Sequence, residues 1–280
     1  MEKILFVTGA SKGFGFEIVK AALAAGDKVA ASVRNNKNQL IEKLGNHPNL
    51  LVVTLDVVYE EQATSAVAEI IAHFGKLDVL INNAGYGMVT AIEEASDAEV
   101  RQQYDTNVFG LLNVTRAVLP FFRKQRSGHI INISSMFGFD VIPGGGIYGS
   151  TKFAVEGISK GLAIELAPLN VRVTAVEPGL FSTEFLSAES SMASKNIISD
   201  YQDTVGQMRT NATKLHGNQN GDPVKLANAI IKLAHSENIP LHLPLGSDAV
   251  GFYRNNVEKT GKDITEWLEI STGTDHDHVQ

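Results

Sequence analysis

The 280-residue chain contains no cysteine. That excludes disulfide scaffolds, zinc ribbons, thiolate catalysis and cysteine-ligated iron–sulfur clusters. Basic side chains are the minority, 24 against 31 acidic ones, and a net charge of −7 excludes the basic field of a general nucleic-acid binder. No apolar run approaches the ~18 residues of a membrane-spanning helix. The opening residues Met1–Gly9 hold a short apolar run that passes straight into glycine-rich sequence, without a signal-peptide pattern, so a cytoplasmic location is expected. There is no repeat and no low-complexity linker. What is present is 44% apolar residues, enough for a large core.

Short β-rich runs alternate with longer stretches of helical period. Strands are expected at Ile4–Thr8, Lys28–Val33, Leu50–Leu55, Leu77–Ile81, His129–Ile133 and Val171–Val176, with a further one at Leu241–Leu245. Helical spacing covers Gly15–Ala25, Ala63–Phe74, Asp97–Arg126 with an interruption near Pro120, Tyr148–Leu166 and Pro223–Ala234. Parallel strands need crossover connections, so the expected fold is α/β, a doubly wound parallel sheet of Rossmann type in a single domain. That domain is expected over residues 1–245, with a substrate lid at about 180–222, part of it (Asn196–Arg209) helix-prone. Residues 246–280 read as a helical extension (Asp248–Leu268) and a polar tail.

The first strand runs directly into Thr8-Gly9-Ala10-Ser11-Lys12-Gly13-Phe14-Gly15 and then a helix. Glycines allow a tight turn and close approach of backbone to a ligand, and a helix N-terminus offers N–H donors to a pyrophosphate. The spacing G-x-x-x-G-x-G is neither the standard dinucleotide fingerprint nor a P-loop. An NAD site places a carboxylate ~20 residues past the turn. Here the second strand ends Ala31-Ser32-Val33-Arg34 with none. Arg34, with Lys12 from the turn and a hydroxyl from Ser32, suits a 2′-phosphate instead, which favours NADP(H); the plain alternative is two solvated charges. Asp56 ends the third strand, to accept from an adenine amino group or to cap the next turn.

Asn82-Asn83-Ala84-Gly85 and Ser134-Ser135 end the fourth and fifth strands, and Tyr148-x-x-x-Lys152 opens the helix that follows. Parallel strand ends converge on one edge, and residues four apart share a helix face. A free phenol titrates near ~10. A neighbouring ammonium and an oxidised nicotinamide lower that value, poising Tyr148 to give a proton to a carbonyl or take one from an alcohol. Ser135 is placed to hold the reacting oxygen.

These residues, in this order and spacing, resemble the short-chain dehydrogenases/reductases in their ~250-residue single-domain form. The resemblance covers roughly residues 1–235 and rests on Thr8-Gly9-x-x-x-Gly13-x-Gly15, Asn82-Asn83-Ala84-Gly85, Asn107, Ser135, Tyr148-x-x-x-Lys152 and Pro178-Gly179. It implies Tyr148 as acid/base, Ser135 orienting the substrate, Lys152 also gripping the nicotinamide ribose, and Asn107 holding a water in a proton relay. It implies that Asn83, Ala84 and Gly85 line the cofactor, and that Pro178, Gly179 and Thr183 contact its nicotinamide side. Lys12 and Arg34 lie where NADP-preferring members carry basic residues. Ser134 is expected to be structural. Leu241–Asp248 departs from the Asp-Gly-Gly-rich strand that builds a tetramer in many members. The expectation is a homo-oligomer, dimer or tetramer, with a dimer through helices around Val108–Leu119 and Phe153–Leu166.

Pocket candidates beside the strand ends are Tyr86, Met88, Met136, Phe137, Phe139 and Ile142, then Leu180, Phe181 and Phe185. They point to a hydrophobic carbonyl or alcohol substrate, or else to packing beneath the lid. Alternatives are a 3-oxoacyl thioester reductase of lipid synthesis, which needs a basic docking surface, and a non-catalytic dinucleotide sensor. No metal is expected; His276 and His278 read as a solvated end.

Overall fold

The computed structural model describes residues 1–183, 191–192, 194, 196–215 and 217–276. In chain order the elements are β1 (Ile4–Val7), α1 (Gly13–Ala24), β2 (Lys28–Val33), α2 (Lys37–Lys43), β3 (Leu50–Thr54), α3 (Glu60–Phe74), β4 (Val79–Asn82), β5 (Gly87–Met88) and α4 (Asp97–Tyr104). They continue with α5 (Gly110–Gln125), β6 (Gly128–Ile133), α6 (Gly146–Leu166), β7 (Val171–Pro178), β8 (Ser191–Met192), α7 (Gln207–Leu215), α8 (Pro223–Ala234), β9 (His242–Leu245), α9 (Ser247–Glu266) and α10 (Leu268–Thr272).

Seven strands form one parallel sheet in the order β3-β2-β1-β4-β6-β7-β9. The order reverses between β1 and β4, which opens a crevice at the strands' carboxyl ends, the place where ligands bind in such sheets. β1 shows why its apolar run is unbroken. Leu5 and Val7 enter the core shared with α1 and α8, while Ile4 and Phe6 enter the core shared with α3 and α5. A strand covered on both faces has no polar side to alternate with. Each fully buried aliphatic side chain here contributes about 1.5–3 kcal/mol.

The structure departs from the sequence reading at several points. The helix expected over Asp97–Arg126 is interrupted at Asp105–Phe109, a wide turn of π type, not near Pro120, which lies inside α5. Pro120 is exposed and leaves the Arg116 carbonyl without its N–H partner four residues on. α2 went unseen because only Leu40 of its seven residues is buried. β5 pairs with β8 in a separate two-stranded sheet that no periodicity announced. The extension breaks at Trp267 into α9 and α10.

Candidate active site

The turn after β1 is held by hydrogen bonds to β2 and to the end of β4. Gly9 N–H donates to Ser32 Oγ (3.3 Å) and Ala10 N–H to Ser32 O (2.9 Å). Ser32 is therefore a buried brace, not the phosphate donor expected. Thr8 Oγ1 accepts from the N–H groups of both Asn83 and Ala84 at 3.0 Å, and Asn83 Nδ2 donates to Thr8 O (2.8 Å) and Gly9 O (3.1 Å). Gly9 has φ 68° and a Cβ there would come within 2.9 Å of Ala84 Cα; one on Gly15 would strike Asn83 Nδ2 at 2.6 Å. Both positions accept glycine alone.

α1 then starts with no side-chain cap and no acidic residue in its first turn, while a Cβ at Gly13 (φ 59°) would meet open space. An uncapped helix N-terminus under an open glycine turn fits a dinucleotide pyrophosphate. Next to it lies a small cavity of ≈ 40 Å³ between Ser11 of the turn and Val33, Asn35, Gln39 and Lys43. Arg34, just beyond β2, and Lys12, in the turn, are exposed, each next in sequence to a residue that lines the cavity. Asn35, Gln39 and Lys43 were missed because α2 was missed. Asp56 Oδ1 accepts from Val58 N–H (3.2 Å), the capping role left open above.

Three elements bring the candidate proton-transfer residues together. Asn107 sits in the π turn, 2% exposed, where the extra residue per turn aims it inward. Its Oδ1 accepts from Tyr86 N–H (3.1 Å), and its Nδ2 donates to Tyr86 O (3.0 Å) and Thr151 Oγ1 (3.1 Å). Gly85 packs close by, and a Cβ there would stand 3.1 Å from Asn107 Oδ1. Ser135, just past β6, accepts from Phe137 N–H (3.1 Å), and its hydroxyl is hydrogen-bonded to the Tyr148 phenol. Ser134 is buried and faces Glu156, away from Tyr148.

Tyr148 and Lys152 are both 7% exposed. Lys152 Nζ lies 5.7 Å from the centre of the Tyr148 ring and donates to Ile133 O at 2.8 Å. The phenol does not follow the expectation of a lowered pKa. Burial pushes it up, and the hydrogen bond from Ser135 only partly offsets that. Burial pulls the Lys152 ammonium down to about 8, with Glu156 acting in the opposite direction. Tyr86 is likewise pushed up to about 12, by burial and then by Asp105.

The PG turn is set by a residue the sequence did not single out. Asp248, at the start of α9, accepts from Leu180 N–H (2.7 Å) and packs so closely on Gly179 that no side chain fits there. Pro178 ends β7 opposite Leu245, and Thr183 N–H bonds to Phe181 O (2.9 Å). Among the pocket candidates, Met88, Met136 and Phe181 are buried. Phe181 packs edge-on against Phe14 at 5.5 Å and belongs to the core shared with α1 and α8. Phe137 meets Tyr148 edge-on at 6.2 Å, and α9 extends this wall with Phe252 and Tyr253, which reach Phe137 and Phe139. Phe185 and His278 lie outside the described residues.

A family model described as short chain dehydrogenase matches residues 3–194. The chain belongs to the short-chain dehydrogenase family. A short-chain dehydrogenase from Streptomyces avermitilis is 39% identical and superimposes with a TM-score of 0.90, covering 99% of this chain and 100% of that one. The 3-ketodihydrosphingosine reductase of Bacteroides thetaiotaomicron is 38% identical over 250 residues, 87% of this chain and 88% of the relative. The NADP-bound structure of ElxO is 30% identical with a TM-score of 0.75, over 90% of this chain and 100% of that one. The protein is thus an oxidoreductase of the short-chain dehydrogenase family with that family's parallel-sheet fold. No helix among the described residues is long and apolar enough to cross a membrane.

Proposed function

We propose that this protein uses NADP(H) to interconvert a hydrophobic carbonyl compound and its alcohol, with Tyr148 as the acid/base. The observation that supports this most is the meeting of Ser135, Tyr148 and Lys152 at the sheet's carboxyl edge, beside an uncapped α1 N-terminus. When bound, a nicotinamide dinucleotide would supply the hydride for the carbonyl carbon in the reductive direction. Tyr148 gives its phenolic proton to the carbonyl oxygen, which Ser135 holds by a hydrogen bond. Burial makes the neutral phenol the resting form, so the phenolate left behind needs the Lys152 ammonium. Asn107, through its bond to Thr151, fixes the helix turn that carries Lys152 and stands at the start of a relay that returns the proton.

Gly9, Ser11, Gly13, Phe14 and Gly15 would cradle the pyrophosphate, with Lys12 and Arg34 on the 2′-phosphate and Asp56 on the adenine side. Asn83, Ala84 and Gly85 would line the middle of the cofactor, and Pro178, Gly179 and Thr183 its nicotinamide end. The NADP-bound relative and the absence of a carboxylate at the end of β2 favour NADP(H) over NAD(H). The aromatic wall from Phe137, Phe139, Phe252 and Tyr253 favours an apolar substrate, and the reductase relative is named for a keto compound. We read residues 1–245 as the catalytic domain, 180–222 as its lid and 246–280 as an extension that completes the pocket wall. Exposed Phe109 and Phe153 beside α5 and on α6 favour a homodimer through those helices. The test is a panel of apolar ketones and aldehydes followed by NADPH absorbance. Consumption that requires both ketone and enzyme is expected, and inertness across the panel with both nucleotides would contradict the reading.

A further inference from the structure

One face of α6 carries Tyr148, Lys152, Glu156 and Lys160, each four residues after the last. The proposed function uses the first two, and the third opens a cluster behind them. Glu156 is 5% exposed and Glu177 of β7 is fully buried. His242 of β9 lies against both, its Nδ1 2.8 Å from Glu177 Oε1 and 3.3 Å from Glu156 Oε2. One ligand-capable atom from each of the three lies within 4.8 Å of the others. Gly138 closes the cluster from above, because a Cβ there would come within 2.9 Å of Glu156 Cγ and 2.8 Å of Ser134 Oγ.

Two carboxylates and an imidazole have the composition of a cation site. Here, however, ammonium groups already supply the compensating charge. Lys152 and Lys160 both act on Glu156, and Lys160 acts on Glu177 and His242 as well. Two buried carboxylates this close do not both ionise, so the pair retains one proton.

We propose that Glu156, backed by the Glu177–His242 pair, is a positioning residue that holds Lys152 as an ammonium ion, so that the lysine and the cluster exchange protons as one coupled unit. The proposal deepens the catalytic reading above and rests on it for its consequence. The groups that face one another are Lys152, Glu156 and Lys160 from α6, Glu177 from β7, His242 from β9 and Ser134 after β6. Burial, then the charge of Glu156, pushes Glu177 up to about 8, while burial and Lys160 push His242 down. Burial raises the pKa of Glu156 as well, but Glu156 stands one helix turn from both Lys152 and Lys160, whereas Glu177 is fully buried against His242, so we place the pair's negative charge on Glu156 beside Lys152. Without that carboxylate, a lysine already drawn down to about 8 by burial loses its proton near neutrality. A neutral amine neither stabilises a phenolate nor balances the cluster.

The test is a pH titration of Lys152 by NMR in the full-length, unliganded protein labelled with [ε-13C]lysine, the resonance assigned by its loss in Lys152→Met. Glu156→Gln should lower the Lys152 midpoint by about one pH unit, a tenfold change in acidity, and draw the alkaline limb of the turnover profile down with it. Glu156→Asp should restore more than half of that shift. Glu177→Gln, which imitates the protonated acid, should leave the midpoint in place. Should Glu156→Gln fail to fold, the unaltered chain still decides, because coupling gives the Lys152 curve a second inflection where the carboxylate pair releases its proton. A single inflection, or a midpoint unmoved in folded Glu156→Gln, would overturn the proposal. This readout needs no turnover, so a failed substrate screen counts against the catalytic reading and not against the coupling.

Discussion

Asn107 grips the backbone of Tyr86 from both sides, accepting from its N–H at 3.1 Å and donating to its carbonyl at 3.0 Å. The same amide reaches Thr151, so one side chain joins the cofactor edge of β4 to the turn of α6 that carries Lys152. Asn107→Leu keeps the size and abandons three polar partners, the Thr151 hydroxyl buried and the two Tyr86 backbone groups part-buried. A loss of about 1–3 kcal/mol is expected. It should appear as a lower urea midpoint together with a fall in turnover. Asn107→Asp should do no better, since a carboxylate facing the Tyr86 carbonyl repels it.

On the proposed reading, the choice of dinucleotide rests on Arg34 and Lys12. Arg34→Ala should weaken NADPH by about tenfold or more and leave NADH within about twofold, because a charge-assisted bond to phosphate is worth about 1.5–3 kcal/mol. Fluorescence titration of the two nucleotides measures the ratio directly.

A buried ion pair joins Glu94 to Arg209 of α7, in the segment proposed as a lid. Glu94 accepts from Ala91 N–H (2.9 Å), from Ile198 N–H (3.0 Å) and from the Arg209 guanidinium, while its backbone carbonyl accepts from Ser194 Oγ (2.6 Å). Its side chain is fully buried. Breaking a buried pair from one side costs about 3–5 kcal/mol. Arg209→Met should therefore sharply increase proteolytic cleavage between residues 184 and 216 in limited digestion, with a rise in KM larger than any fall in kcat.

Two buried groups give the stability curve opposite slopes. Burial pushes His129 down to about 3 from an ordinary 6.5, so below pH 6.5 the unfolded chain takes up a proton that the folded chain refuses. Stability from this site is full above 6.5 and lost as pH falls toward 3. Glu177 is raised from 4.5 to about 8, so between those values the folded chain holds a proton that the unfolded chain has released. Stability from this site is full below 4.5 and lost as pH rises to 8. Thermal melts should show Glu177→Gln more stable than the parent above pH 8, and His129→Gln with a shallower loss between pH 6.5 and 4.

The strands of the sheet were legible because each is an apolar run closed by turn residues, as Ile4–Val7 is by Thr8-Gly9. Of the candidate catalytic residues, Tyr148 and Lys152 were legible from four-residue helix spacing and the convergence of strand ends, while Asn107 and the choice of Ser135 over Ser134 came from the resemblance to the short-chain dehydrogenases. Hidden were features that depend on contacts between distant segments. Asp248 reads as an ordinary helix-start residue until α9 folds back onto Gly179. Phe252 and Tyr253 join the aromatic wall only through the same packing. The π turn at Asn107 adds a residue to the turn without any local sequence signal, and Pro120 drew the expected break away from it. Glu156 and Glu177 stand next to sequence motifs, yet only the sheet register that brings in His242 makes them a cluster.

The measurement that bears most directly on the catalytic reading is the comparison of Tyr148→Phe with the parent chain, in NADPH binding and in turnover of whichever ketone the panel identifies. Removing only the hydroxyl should leave NADPH affinity within about threefold and reduce kcat by about 10²–10⁴-fold, the share of a positioned proton donor. Turnover at the parent's rate with the phenol absent would contradict the account.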